Sequence, residues 1–308
     1  MGSTFFKGFI RLSRPQFLLA GILPYCLGLV VIVYENNTIY LDIAIVSFFG
    51  IIITQQASRY SNDYFDYETD MMNKERGDFS GGSGALVEGL IDRKWALFFS
   101  IVCFIIGAII FLILAFIFET GPLTVPLYLM GAFLAYAYVG PPFKLAYRGL
   151  GEIALGSAAG LLIVPTVVYL QTGTITALTI LTSIPLFFIY FISLLGLEFP
   201  DWHSDKLTGK RNLMVKLGKM RAARLYLVLL VFCYALCVIF IFFGLPLLVV
   251  LLIVLSIPLH FRNISSLKNL IIEGKETVIP NPKKIFLAGF GFLLMNLLGF
   301  ILAIGVDV

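Results

Sequence analysis

Charge is what this sequence has least of. Asp, Glu, Lys and Arg make up 13% of its 308 residues, about half the share a soluble domain carries. With 59% hydrophobic residues and a mean hydropathy of +0.97, the composition excludes a soluble globular domain. Histidine is nearly missing: with His203 and His260 alone, a histidine-based metal site is not expected. Cysteine is sparse too. Cys26, Cys103, Cys233 and Cys237 fall inside apolar stretches with no other ligand type beside them, so they read as packing residues, not a disulfide or zinc site. A cleavable signal peptide is not expected, because Met1–Arg14 is short, polar and basic and the following apolar stretch runs to about Tyr34.

What is there in abundance is hydrocarbon. Crossing a bilayer takes about 20 apolar residues. The pattern predicts nine such helices, at residues 16–34, 41–61, 95–118, 122–139, 152–171, 176–199, 222–243, 245–261 and 285–305. Breakers separate them: Asn36-Asn37, Gly121-Pro122, Thr172-Gly173-Thr174 and Gly244-Leu245-Pro246. With the N-terminus in the cytoplasm, all 22 Lys and Arg residues fall on the cytoplasmic side, as the positive-inside rule demands. The expectation is one domain over residues 1–308, an all-α integral membrane protein with its helices around a central cavity and its long, polar loops facing the cytoplasm. The net charge of +4 is then a topology signal, with some attraction for anionic lipid and substrate, and calls for no nucleic-acid partner.

Against this background two acidic clusters stand out. The first runs from Asn62 to Asp70 after the second predicted helix; the second, Asp201 to Asp205, follows the sixth. If the second helix continues past Tyr60, Asn62, Asp66 and Asp70 lie at i, i+4 and i+8, with Asp63 one step aside. Asp201 and Asp205 are again i, i+4, with Glu198 one turn earlier and a kink expected at Pro200. The two clusters are four helices apart, which suggests that helices 1–4 and 5–8 would be two similar halves, each with one acidic cluster after its second helix. Such clusters beside a bilayer repel each other without a cation. Mg²⁺ held by carboxylates shares its remaining positions with phosphate and water. Two clusters facing across a cavity would clamp a diphosphate between two Mg²⁺ sites and ease its departure. Cations that would complete such a pocket are Lys144, Lys206, Lys210, Arg211 and Arg76. The glycine run Ser80–Gly84 would add backbone N–H groups. Tyr138 and Tyr147 join the candidates by their place beside Lys144, although each reads equally as an interface tyrosine.

These residues resemble the UbiA superfamily of intramembrane aromatic prenyltransferases over essentially the whole chain. Its NDxxDxxxD motif is matched by Asn62, Asp63, Asp66 and Asp70, and its DxxxD motif by Asp201 and Asp205. The segments Asn62–Tyr67, Gly81–Leu90, Tyr147–Glu152 and Asp205–Gly218 look most like the MenA branch, which prenylates naphthoquinone precursors. The resemblance implies that Asp66, Asp70, Asp201 and Asp205 hold Mg²⁺, that Asn62 bonds the diphosphate or a metal-bound water, and that Asp63 orients its neighbours. It implies that Lys144, Arg76 and Lys206 take up charge on the leaving diphosphate. The family's Tyr/Lys motif falls on Tyr138 and Lys144, with five residues between them. The partners implied are a prenyl diphosphate, an aromatic acceptor and membrane lipid, in the plasma (inner) membrane of a prokaryote. Two alternatives stay open here: another acceptor (a glycerol-ether lipid, a 4-hydroxybenzoate, haem or chlorophyllide), and a secondary transporter, whose carboxylates would sit nearer the midplane.

Overall fold

The computed structural model describes residues 2–73, 77, 79, 81–274 and 280–306, and its elements are helices. At the start, α1 (Gly2–Ser13) meets α2 (Leu19–Tyr34) at a 45° bend, with Arg14 in a left-handed turn ahead of Pro15. Next, α3 (Leu41–Phe65) passes directly into α4 (Tyr67–Met72). The long helix α5 (Arg93–Phe116) opens on Asp92, whose carboxylate accepts the Lys94 N–H at 3.0 Å. After α6 (Thr124–Ala137), α7 (Gly151–Leu155) continues through a π turn at Gly156–Leu162 into α8 (Ile163–Thr172). The Thr176 hydroxyl caps α9 (Ala177–Leu197), accepting from the Thr179 N–H at 3.1 Å. Two short helices follow, α10 (Trp202–Leu207) and α11 (Leu213–Leu217), then α12 (Lys219–Phe240), α13 (Leu247–Leu255), α14 (Ile257–Glu273) and α15 (Pro282–Val306).

Among the described residues, six helical stretches are long and apolar enough to cross a membrane, and eight if the bent pairs α1–α2 and α13–α14 each count as one. The nine-helix reading adds α6, an apolar helix of 14 residues. Large apolar side chains such as Phe116, Val231 and Phe242 point outward from the bundle, as the lipid-facing surface of a multi-pass membrane protein requires.

Two boundaries differ from expectation. The helix predicted at residues 41–61 extends to Phe65, so Asn62 and Asp63 are helical. The one predicted to end near residue 261 bends by 44° beside Pro258 and continues as α14. Close approach of helices depends on small residues. A Cβ at Gly160 would lie 2.4 Å from the Phe187 backbone nitrogen of α9, and one at Gly28 would lie 2.8 Å from Val167 of α8. These contacts leave a chamber whose wall is built by α2, α3, α6, α8, α9 and α15.

Candidate functional site

The chamber, about 380 Å³, has two chemically distinct ends. Its depth is apolar, lined by Ile51, Phe111, Tyr128, Ile163, Ile189 and Leu293. Its mouth is lined by Asn62, Asp63, Asp66, Asp70, Asp201 and Asp205. The first cluster does not lie on one unbroken helix, since the chain bends at Asp66. The helical register nonetheless survives the bend: the Asp66 N–H donates to the Asn62 carbonyl and the Asp70 N–H to the Asp66 carbonyl, each at 2.8 Å. The stripe expected from the spacing therefore forms. Across the mouth, α9 stops before Pro200, and the Asp205 N–H donates to the Asp201 carbonyl at 2.9 Å. Packing of α4 on α10 brings the clusters together.

Asp63, Asp66, Asp70 and Asp205 are buried and Asp201 is half-buried, and donors orient Asp63, Asp66, Asp201 and Asp205. The Asn73 amide and the Gly81 N–H hold Asp201 at 2.8 and 3.1 Å. The Tyr147 hydroxyl donates to Asp66 at 2.7 Å, and the Asn212 amide to Asp205 at 2.7 Å. Asp63 is hydrogen-bonded by Ser83 and feels the charge of Arg14. Asp70 lies against Gly82, where a Cβ would come within 1.9 Å of its carboxylate, so only glycine fits.

Lys210 joins the two clusters. Its ammonium is 3.1 Å from Asp66 and 3.9 Å from Asp205, with 13% of the side chain exposed. Burial works against that charge, but Asp66 and Asp205 more than offset it and hold the ammonium well above its usual range. Burial pushes the Asp205 carboxyl up to about 6, opposed by Lys210 and reinforced by Asp201 and Asp66. Asp201 is raised by burial as well, against the pull of Asn73, Lys210 and Gly81. Tyr147 is kept a phenol first by burial and then by the Asp66 carboxylate, so it remains a donor.

The other candidates fall as follows. Tyr138 lines the chamber, its ring beside Gly151. Lys144 is exposed outside the chamber, 5.3 Å from the centre of the Tyr147 ring. Lys206 is exposed too and lies over Trp202, 4.9 Å from the ring centre, so the cation that enters the chamber from this loop is Lys210. The Gly81 N–H is taken up by the Asp201 carboxylate and is not left for a phosphate. Arg76 lies outside the described residues. The orienting side chains Asn73 and Asn212 were missed from sequence. Their signal is faint, an amide within a turn or two of a cluster.

The donor set suits a hard divalent cation: buried carboxylates, amide oxygens and room at the mouth for water or phosphate. Among the described residues, no three His, Cys, Asp or Glu side chains are placed to hold a metal ion together. The carboxylates are drawn to their protein donors and to Lys210.

Residues 21–268 match the UbiA prenyltransferase family. Similar proteins include the 1,4-dihydroxy-2-naphthoate octaprenyltransferase of Bacillus subtilis, 27% identical over 217 residues, or 70% of this chain and 67% of that one. The digeranylgeranylglyceryl phosphate synthase of Pyrococcus horikoshii is 27% identical over 220 residues, 70% of this chain and 71% of its own. The fold is similar to that of a UbiA homologue from Archaeoglobus fulgidus solved with GPP and Mg²⁺, at a TM-score of 0.66 and 16% identity, covering 97% of this chain and 99% of that one. Family membership sets aside the transporter alternative. With its acidic motifs gathered at the mouth of an apolar chamber, the chain belongs to the UbiA prenyltransferase family and is a membrane-embedded prenyltransferase.

Proposed function

We propose that this enzyme transfers a prenyl group from a prenyl diphosphate to an aromatic naphthoquinone precursor, with Mg²⁺, in the plasma membrane of a prokaryote. The observation that carries the reading is the joining of two acidic clusters to one apolar chamber. The similarity to the B. subtilis naphthoate enzyme supports the acceptor class. The chain acts as one domain of nine spans with the N-terminus and the chamber mouth in the cytoplasm, which places all 22 Lys and Arg residues on that side.

Asp66, Asp70, Asp201 and Asp205 would hold Mg²⁺ at two sites, with Asn62 and Asp63 beside them. When bound, the metal supplies charge that stabilises the departing diphosphate. Everything else falls to the chain. Asn73, Gly81, Tyr147 and Asn212 keep the carboxylates aimed at the mouth, so little reorganisation accompanies the reaction. Lys210 follows the developing charge on the diphosphate, with Lys144, Arg76 and Lys206 adding to the positive field around the mouth. The apolar walls exclude water from the allylic cation, and aromatic side chains such as Phe79 and Tyr128 offer it faces that tolerate positive charge. The electron-rich ring beside the allylic end then forms the new carbon–carbon bond, assisted by Tyr138 at the same wall.

A glyceryl acceptor is the second reading, favoured by the similarity to the P. horikoshii synthase over nearly the same extent. Mass spectrometry decides between them. The protein in lipid is given Mg²⁺, geranylgeranyl diphosphate and either 1,4-dihydroxy-2-naphthoate or geranylgeranylglyceryl phosphate. We expect a prenylated, decarboxylated naphthol from the first acceptor and no product from the second. The reverse outcome would replace the aromatic acceptor by the glyceryl one.

A further inference from the structure

Two buried glutamates have no part in the arrangement above. Glu198 follows the last residue of α9, three positions before Asp201 and thus deeper than the acidic mouth, and its side chain lines the chamber. Glu152 lies in the first turn of α7, the helix that packs on α9 here. The Glu152 residue is fully buried, and neither of its carboxyl oxygens meets a hydrogen-bond donor group; Glu198 Oε2 is in the same condition. What Glu152 faces is the Glu198 carboxyl itself, close enough for the two to hydrogen-bond once one of them carries a proton. Two carboxylates in a dry site cannot both ionise, so the pair holds one proton. Tyr138, Lys210 and Asp205 are the other ionisable groups that face Glu198.

A buried carboxyl pair with unfilled hydrogen-bonding capacity costs stability, and replacement by apolar residues would remove that cost. Its place suggests what it does instead. Ala154 and Leu155 of α7 and Leu194 and Leu197 of α9 line the wall around it, so the pair stands where the polar mouth gives way to the apolar chamber. There, an aromatic ring stacked against the allylic end would present its hydroxyl.

We propose that Glu198 and Glu152 form a proton relay for the hydroxyl group of a phenolic or naphtholic acceptor, with Glu198 touching the acceptor and Glu152 positioning it. The assignment rests on the aromatic-acceptor reading above. The acceptor's O–H bond breaks toward a Glu198 oxygen, while the proton already shared moves over to Glu152. The freed electron pair enters the ring, and the ring carbon bonds to the allylic carbon. The bond from that carbon to the diphosphate oxygen breaks, its electron pair leaving on the diphosphate. Loss of CO₂ from a carboxylated ring carbon, or of the ring proton to water, returns electrons to the oxygen. That oxygen takes its proton back from Glu198, and the pair regains its single shared proton.

The test uses the full-length protein in lipid with Mg²⁺, geranylgeranyl diphosphate and the aromatic acceptor. The wild type comes first: no aromatic product from it would overturn the acceptor reading and this relay with it. Given wild-type turnover, Glu198→Gln is expected to lower kcat by about 100-fold near neutral pH. Mg²⁺-dependent binding of the diphosphate should stay within about 3-fold, which shows the fold and the mouth intact. Turnover of the variant should then climb about tenfold per pH unit toward the pKa of the acceptor hydroxyl, because an ionised hydroxyl needs no base. Glu152→Gln should show the same climb from a smaller initial loss, about 10-fold, and carries the test if Glu198→Gln also loses diphosphate binding. A loss that stays constant with pH would mark a purely structural pair and overturn the relay. So would turnover within about 3-fold of wild type in both variants.

Discussion

Asp66→Asn and Asp201→Asn are each expected to lower prenyl transfer by about 10³-fold, although they lie on different sides of the chamber mouth. The substitutions are nearly isosteric and remove one negative charge apiece. Tyr147 can still donate to the amide oxygen at position 66, and at 201, where Asn73 and Gly81 bond different carboxylate oxygens, the amide oxygen keeps one of the two donors. The fold should therefore survive, with thermal unfolding in detergent or lipid close to that of the wild type. What is lost is an anionic ligand from one of two clusters that act on the same diphosphate. Neither cluster should suffice alone, because charge develops on the leaving group between them. Turnover within tenfold of wild type in either variant would remove the two-cluster account.

The second large effect concerns Lys210, and it is expected in stability as well as in rate. Replacing it with Met leaves Asp66 and Asp205 buried without their common counter-ion. Breaking a buried pair in this way typically costs about 3–5 kcal/mol. The Lys210→Met protein should thus unfold at a clearly lower temperature in the presence of a chelator. A divalent cation competes with the ammonium for the same carboxylates, so Mg²⁺ should stabilise the variant more than the wild type. Transfer should still fall, by about 10²-fold, because the charge facing the leaving diphosphate is gone. Equal melting temperatures under chelation, with equal Mg²⁺ shifts, would show that Lys210 does not neutralise the clusters.

Much of this was readable before any coordinates. The spacing of Asn62, Asp66 and Asp70 anticipated a helical stripe, and the stripe forms because backbone hydrogen bonds carry the register across the bend at Asp66. Hydropathy located most of the apolar helices to within a few residues, the exception being the one that bends beside Pro258 and runs on as α14, since a span has to satisfy its backbone internally wherever it starts. The choice among the lysines was harder. Lys206 follows Asp205 directly, but on a helix it is i+4 from Trp202, and it stacks there. Lys210 reaches the chamber because the chain reverses at Gly209, with φ at +75°, and the Lys210 N–H bonds back to the Asp205 carbonyl at 2.9 Å. That turn depends on tertiary packing and leaves little trace in composition. Glu152 was hidden differently. It opens a long apolar helix, where a single acid resembles an ordinary helix-start residue, and only the approach of α9 shows that its carboxyl meets Glu198 instead of water.

The central claim is that the two clusters use Mg²⁺ to separate a prenyl group from its diphosphate inside the chamber. Its most direct test is to follow diphosphate release and prenylated product together, from the wild-type protein in lipid nanodiscs, across a Mg²⁺ titration from chelator to saturation. The account predicts no product under chelation and, as Mg²⁺ is added, product and diphosphate rising together in a one-to-one ratio. Product formed at full rate under chelation, or formed without release of diphosphate, would contradict it.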